Sequence, residues 1–185
     1  MTHRWIVTAL GKDRPGIVAG VTQALYRLGC NLEDSAMTRL GGEFAIMLLF
    51  SGPARVTQDA LRSAFASLEQ RLKLVLHLKP LSGGATQALL KRGAAYLVSV
   101  YGADRPGIVF RVADLLARAG INITNVETHR SPSTSGRTRP PLYLLLLEVE
   151  LPTSLSVARL EHQLKALAKK LAVEVSLRPA EADVL

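Results

Sequence analysis

A segment of 22 residues occurs twice in this chain, and this duplication constrains the fold more than any other feature of the sequence. GKDRPGIVAGVTQALYRLGCNL, residues 11–32, recurs as GADRPGIVFRVADLLARAGINI, residues 102–123, at a constant offset of 91. Twelve of the 22 positions are identical, including the unbroken DRPGIV. Two copies this far apart indicate a duplicated domain, since solenoids are built from several short repeats stacked on one another.

Each copy begins with the pattern of a strand followed by a helix. Residues 4–10 and 94–101 are rich in β-forming residues and end at a glycine, as expected for a first strand. Pro15 and Pro106 suit the first turn of a helix, where a missing N–H loses no hydrogen bond. Apolar residues then recur at helical spacing up to a second glycine, which stands where a glycine commonly ends a helix.

The remaining elements complete a βαββαβ module in each copy, a split βαβ arrangement with an antiparallel sheet and both helices on one face. The sequence therefore predicts an α+β protein of two tandem ferredoxin-like domains. The further predicted elements are strands at 31–40, 43–50 and 72–78 with a helix at 55–71, and strands at 122–130, 142–151 and 172–177 with a helix at 154–171.

Two stretches rich in turn-forming residues divide the chain. The first is a linker at 81–92 that contains Ser-Gly-Gly, so the domains are predicted at 1–80 and 93–179. The second is the insertion SPSTSGRTRPP at 131–141, which extends the hairpin of the second copy and predicts a long polar loop.

Composition and residue spacing argue against several classes of protein. Cys30 is the single cysteine, so no intrachain disulfide framework exists and a cytoplasmic location is expected. Its counterpart in the second copy is Ile121, which favours a packed thiol over a reactive one. The most apolar stretches, 44–50 and 142–147, are too short to cross a bilayer, so no membrane association is expected.

The sequence also lacks the patterns that carry catalysis or bind metals. The four histidines have no paired metal-ligand spacing. No nucleophile-elbow, zinc-protease or phosphate-loop motif is present. We therefore expect no metal, no cofactor and no enzymatic activity.

The net charge of +8 raises nucleic-acid binding as an alternative function. Arg130, Arg137 and Arg139 surround the long loop and are the candidate contacts for it. The basic residues are otherwise spread over both halves, and the longest basic run is Lys169-Lys170. Direct DNA binding is therefore not expected.

Both halves resemble ACT domains, the ferredoxin-like modules that bind amino acids and regulate metabolic proteins. The first half carries the more specific motifs: ALGKDRPGIV at 9–18, GCNLEDS at 29–35 and GEFAIMLLFSG at 42–52 look like the glycine cleavage system transcriptional repressor group. The tandem arrangement and the length match as well. DRPGIV also begins formyltetrahydrofolate deformylases, but those continue into a large hydrolase domain for which this chain has no room.

This resemblance implies an accessory regulator that senses an amino acid, with glycine the expected ligand. Proteins of the group are thought to control transcription indirectly, by binding a LysR-type activator, and a homodimer is expected. The second copy departs from the group through its long loop and through Thr124 and Asn125, which replace Glu33 and Asp34. A regulatory subunit of an amino-acid metabolic enzyme is the alternative.

The turn between the first strand and the first helix is the candidate site for the amino acid. The first N–H groups of a helix have no internal partner and favour an anion, and a glycine there lets a ligand approach the backbone. An aspartate can accept from an α-ammonium group, and an asparagine beginning the next strand beside the same turn can bridge both groups. The candidate ligand-binding residues are Asp13, Arg14, Pro15, Gly16 and Asn31 in the first copy and Asp104, Gly107 and Asn122 in the second.

Each of these residues also has a structural interpretation. The aspartates can cap the helix, and the prolines can only shape the turn. The glycines can permit close packing of helix on strand, and the asparagines can simply lead the chain into the strand. Arg14 and Arg105 are expected to be exposed, with a role in partner binding as the alternative.

Overall fold

A computed structural model describes residues 2–81, 93–131 and 141–180. The chain divides into two compact units, residues 1–89 and 90–185. Each unit has the order strand, helix, strand, strand, helix, strand. The first contains β1 (Thr2–Lys12), α1 (Ile17–Arg27), β2 (Asn31–Leu40), β3 (Glu43–Pro53), α2 (Gln58–Leu72) and β4 (Val75–Leu81), and the second contains β5 (Ala94–Ala103), α3 (Ile108–Arg118), β6 (Asn122–Ser131), β7 (Leu142–Leu151), α4 (Val157–Leu171) and β8 (Val173–Pro179).

Each unit is a four-stranded antiparallel sheet with two helices, which confirms the predicted fold class. The strand order is β2-β3-β1-β4 in the first unit and β6-β7-β5-β8 in the second. Lys12, at the end of β1, is paired with Glu43 of β3, and Glu43 is paired in turn with Leu40 at the end of β2. The β1–α1 turn and the β2–β3 hairpin therefore lie at the same end of the sheet.

Alternation along the central strands places one face of each sheet under the helices. In β1 the buried residues are Trp5, Val7 and Ala9, and the intervening positions are more exposed. β3 alternates in the same way, whereas the edge strand β2 is exposed along its whole length. The second unit has its own core, in which Val98 and Val100 of β5 are buried together with residues of α3, α4 and β7.

The helix starts differ from the predictions in an informative way. α1 and α3 begin at Ile17 and Ile108, so Pro15 and Pro106 lie outside the helix, before the N-cap glycines, and the expectation that they occupy the first helical turn is wrong. α2 begins three residues later than predicted, because the Thr57 hydroxyl caps it by accepting from the Ala60 N–H at 3.2 Å. Ser156 caps α4 in the same way.

Two predicted segments fall mainly outside the described residues. Of the linker at 81–92, Leu81 belongs to β4 and residues 82–92 are not described; of the loop at 131–141, residues 132–140 are not described. The predicted domain boundaries therefore stay predictions. Within the described ranges, no helix has the length and apolar character needed to span a membrane.

Candidate amino-acid-binding site

Asp13 joins the β1–α1 turn to the neighbouring hairpin. Its backbone N–H donates to the carbonyl of Gly42 at 3.0 Å. Its carboxylate Oδ2 accepts from Nη1 of Arg39 on β2 at 3.2 Å. The N-cap of α1 is Gly16, and no side chain caps this helix, so the capping interpretation of Asp13 is wrong. The first N–H groups of α1 are left facing the turn.

Gly16 is required by backbone conformation and not by packing. Its φ of 93° lies in the left-handed region that residues with a Cβ adopt only at an energetic cost. A Cβ built on Gly16 would have no atom within 4 Å, so the helix does not approach a strand closely at this position. The space beside the turn is open to a ligand.

An open groove of about 680 Å³ runs beside the turn and gathers most of the predicted residues of the first module. Asp13, Arg14, Pro15 and Gly16 all line it. Residues of β2, β3 and the first part of α1 complete its walls, namely Met37, Arg39, Phe44, Ile17, Val18, Ala19 and Thr22. The groove thus brings one carboxylate and two guanidinium groups together beside the N-terminus of a helix.

Asn31 does not lie beside this turn. The strand pairing shows that the expected position of Asn31 is wrong. Asn31 is paired with Ser51, at the end of the sheet where β1 begins, whereas Arg39 is paired with Phe44 near the turn. Eight residues of extended chain separate Asn31 from Arg39, or about 26 Å. The reason is that α1 crosses the length of the sheet before β2 starts, so β2 reaches the turn only at its far end. Asn122 is placed in the same way in the second module.

The second module repeats the arrangement around Asp104. Its N–H donates to the carbonyl of Pro141 at 2.8 Å, and its Oδ2 lies 2.8 Å from Nε of Arg130. Gly107 is the N-cap of α3, with a φ of 92°. Both ion pairs therefore occupy equivalent positions at the offset of 91.

Sequence reasoning missed Arg39 and assigned Arg130 to a different function. A signal was present, because these two arginines are identical residues at the offset of 91, just beyond the 22-residue repeat. Extending the comparison of the two copies along the second strand would have singled them out. Only the structure shows that each arginine meets the aspartate of its own turn.

Glu33, in the motif GCNLEDS, has a structural role at the opposite end of the sheet. It lies at a β-bulge between Leu32 and Asp34, where its carboxylate binds Arg4 of β1 at 2.6 and 2.8 Å. The second module has a register shift at the same place, and Thr124 stands there instead. The replacement of Glu33 by Thr124 in the second copy therefore changes a β-bulge far from the β1–α1 turn.

Cys30 is a packed thiol. It is half-buried against the core of the first unit, and a Cβ on Gly52 would come within 3.0 Å of its Sγ. Desolvation by burial raises the pKa of this thiol above its ordinary value. A raised pKa lowers the thiolate fraction, which agrees with the packed interpretation.

Family models and a curated relative match this chain. Models described as ACT domain match residues 3–79 and 96–140, and together they cover more than half of the chain. The chain is 29% identical over 175 residues to the glycine cleavage system transcriptional repressor of Escherichia coli (strain K12), a match that covers 95% of this chain and 89% of that protein.

Solved structures match along nearly the full length as well. An unknown protein from Galdieria sulphuraria superposes with a TM-score of 0.82 at 28% identity, covering 97% of this chain and 99% of that one. A putative glycine cleavage system transcriptional repressor superposes with a TM-score of 0.65 at 23% identity, covering 96% and 97%. At the latter identity the likeness supports the fold alone.

Proposed function

Because the chain belongs to the ACT-domain family and is related along its length to a glycine cleavage system transcriptional repressor, we propose that it is an amino-acid-responsive regulatory protein. Its ligand binds in the groove beside the β1–α1 turn. The observation that carries this proposal is the meeting of Asp13, Arg39 and the N-terminus of α1 in one open groove.

The charges of the groove complement an α-amino acid. The carboxylate of Asp13 accepts from the α-ammonium group, while Arg39 and the first N–H groups of α1 bind the α-carboxylate. The helix dipole adds about 0.3–1 kcal/mol for an anion at this position. Without ligand, Asp13 and Arg39 neutralise each other; binding inserts the zwitterion between them and replaces one ion pair by two.

The expected ligand is glycine, because the E. coli relative is named as a regulator of the glycine cleavage system. Glycine has five heavy atoms, and the best small ligands gain about 1.5 kcal/mol per atom, so its affinity cannot exceed roughly 7.5 kcal/mol, a low-micromolar dissociation constant. A groove open to solvent would bind more weakly. Such affinities fall in the range over which metabolite concentrations vary.

The regulatory step is proposed to run through another protein. The repressor group that the sequence resembles is thought to act through a LysR-type activator, and we propose that this chain binds such an activator and releases it when glycine is bound. Each described helix packs on its own sheet, which supports action through a protein more than insertion of a helix into DNA. The fully exposed edge strand β2 supports a homodimer, since unpaired edge strands readily pair with a second copy.

Calorimetric titration of the full chain with glycine, then with serine and other amino acids, tests the proposal. We expect saturable binding of glycine at the β1–α1 turn, and this binding should be lost in Asp13→Ala. Asp59→Ala is the matched control, because Asp59 is an exposed aspartate on α2 of the same module and lies outside the groove. The absence of binding by every amino acid, or equal loss in both variants, would overturn the assignment.

A further inference from the structure

A second groove, between α3 and α4 of the second module, is strongly basic. Its volume is about 720 Å³, and four basic side chains line it against one acidic side chain, Asp114. The basic residues are Arg111, Arg118, Arg159 and Lys170. None of them belongs to the β5–α3 turn, but Arg111 Nε would lie 3.9 Å from a Cβ on Gly107, so one end of this groove adjoins that turn.

Three of these cations have no counterion among the described residues. Asp114 pairs with Arg118 one turn further along α3, at 3.0 and 3.1 Å. Over residues 2–81, 93–131 and 141–180, no ion pair or side-chain hydrogen bond involves the charged groups of Arg111, Arg159 or Lys170. The groove therefore presents uncompensated positive charge to solvent.

The floor of the groove is aliphatic. Leu160 is buried, and Leu115, Leu155 and Leu167 are half-buried beside it. The hydroxyls of Ser154 and Ser156 lie at one end. No lining residue is aromatic. The groove thus offers charge at its rim and an apolar strip along its floor.

The first module supplies an internal comparison. Its groove between α1 and α2 is lined by only two basic residues, Arg27 and Arg71, and has a volume of about 330 Å³. Gly20 stands where the second module has Arg111, and Ala60, the third residue of α2, stands where α4 has Arg159. Because the two modules share one fold, the two additional arginines are not needed to form it.

We infer that the α3–α4 groove docks an acidic helical segment of a partner protein, one that presents carboxylates on either side of aliphatic side chains. This inference rests on the proposed function in one respect, namely that the chain acts through another protein. The leucine floor favours a peptide over a single-stranded nucleic acid, because bases are bound by stacking on aromatic side chains and none lines the groove.

The spacing of the charges fits such a helix. α3 and α4 run antiparallel, because they follow the antiparallel strands β5 and β7. Arg118 and Arg159 therefore lie toward one end of the groove, and Arg111 and Lys170 toward the other. Arg111 and Arg118 are seven residues apart, or about 10 Å along a helix, which equals the separation of carboxylates two turns apart on a docked helix. Aliphatic side chains between them would cover the leucines.

A fluorescently labelled synthetic peptide tests the inference on the full chain near physiological salt. The peptide is an amphipathic helix with glutamates two turns apart flanking leucines, and a scrambled peptide of the same composition is the reference. We expect the double variant Arg111→Ala/Arg159→Ala to bind the peptide about tenfold more weakly or worse, because it loses charge-assisted contacts. A tenfold loss of affinity corresponds to about 1.4 kcal/mol. Arg62→Ala with Arg178→Ala removes the same charge from exposed positions elsewhere and should change binding less than about twofold.

Three outcomes would overturn the inference: equal losses in both double variants, equal binding of the scrambled peptide, or tighter groove-dependent binding of a thymidine oligonucleotide. Glycine titration of the same variants separates this inference from the proposed function. Arg111 and Arg159 lie in the second module, and Arg111 adjoins Gly107, so glycine binding at the β1–α1 turn should persist in the groove variant. If the wild-type chain binds the peptide but no amino acid, the proposed function fails while the docking surface stands.

Discussion

The carboxylate of Asp13 lies 3.2 Å from the guanidinium of Arg39, and the same pair recurs 91 residues later as Asp104 and Arg130, 2.8 Å apart. In both modules the pair joins the turn before the first helix to the edge strand. The Arg39 side chain is 68% exposed, and an ion pair this exposed contributes only about 0–1 kcal/mol to stability. Stability alone therefore gives little reason for its presence at both turns, whereas binding of a zwitterion gives one.

Arg39→Gln should weaken glycine binding at the first turn about tenfold to a hundredfold, because it removes a charged donor from the α-carboxylate. The thermal unfolding midpoint should hardly change, since the pair is exposed. Calorimetry measures the affinity and circular dichroism the unfolding.

Arg130→Gln is the matched variant for the second module. If both turns bind glycine, each single variant should halve the number of tight sites, and the double variant should have none. Unchanged binding in all three variants would show that these arginines do not contact the ligand.

Gly16→Ala should lower the free energy of unfolding of the first module by about 1–2 kcal/mol, the cost of placing a residue with a Cβ in the left-handed region. The open surroundings of Gly16 leave no steric clash to add to this cost. Urea unfolding measures the change, and Gly16→Asn should lose less because asparagine tolerates this conformation better. A larger loss of unfolding free energy in Gly16→Asn than in Gly16→Ala would contradict the conformational explanation.

Cys30 should make stability fall at alkaline pH. Burial raises its pKa in the folded state above the ordinary value of 9.0, so the folded protein holds the thiol proton more tightly than the unfolded chain does. This contribution is fully present below the unfolded pKa and is lost as pH rises through the folded pKa. Urea midpoints from neutral pH to beyond pH 9.0 should decline less in Cys30→Ala than in wild type.

Trp5→Phe should change the free energy of unfolding by less than about 1 kcal/mol, although Trp5 is only 7% exposed. The indole Nε1 is buried without a hydrogen-bond partner in the described part of the chain. Phenylalanine has no N–H group, so the cost of burying an unpaired donor disappears. This gain offsets the stability lost through the smaller apolar volume. Leu48→Ala, a truncation on β3 in the same core, should lose about 2–5 kcal/mol. Urea unfolding followed by circular dichroism measures both variants. A loss of unfolding free energy in Trp5→Phe as large as that in Leu48→Ala would contradict this explanation.

The element order of each module could be predicted from sequence because its signals are local. Helical spacing of apolar residues marked α1 and α3, and Gly41-Gly42 marked the hairpin between β2 and β3. The bounds of β2 and β7 agree with the prediction at both ends. The predicted start of α2 was wrong because the Thr57 cap decides the first helical residue. A propensity pattern does not show which hydroxyl accepts from which backbone N–H.

The sequence by itself determined that the chain contains two βαββαβ modules, because a repeat at a fixed offset and the periods of helix and strand are properties of neighbouring residues. It also placed Asp13 in a turn before a helix. Only the tertiary structure decided which residue pairs with it. Strand pairing brings Arg39 to Asp13 across 26 residues and carries Asn31 to the far end of the sheet. Strand order and direction arise from hydrogen bonds between distant segments, and these hydrogen bonds leave no mark in the local pattern.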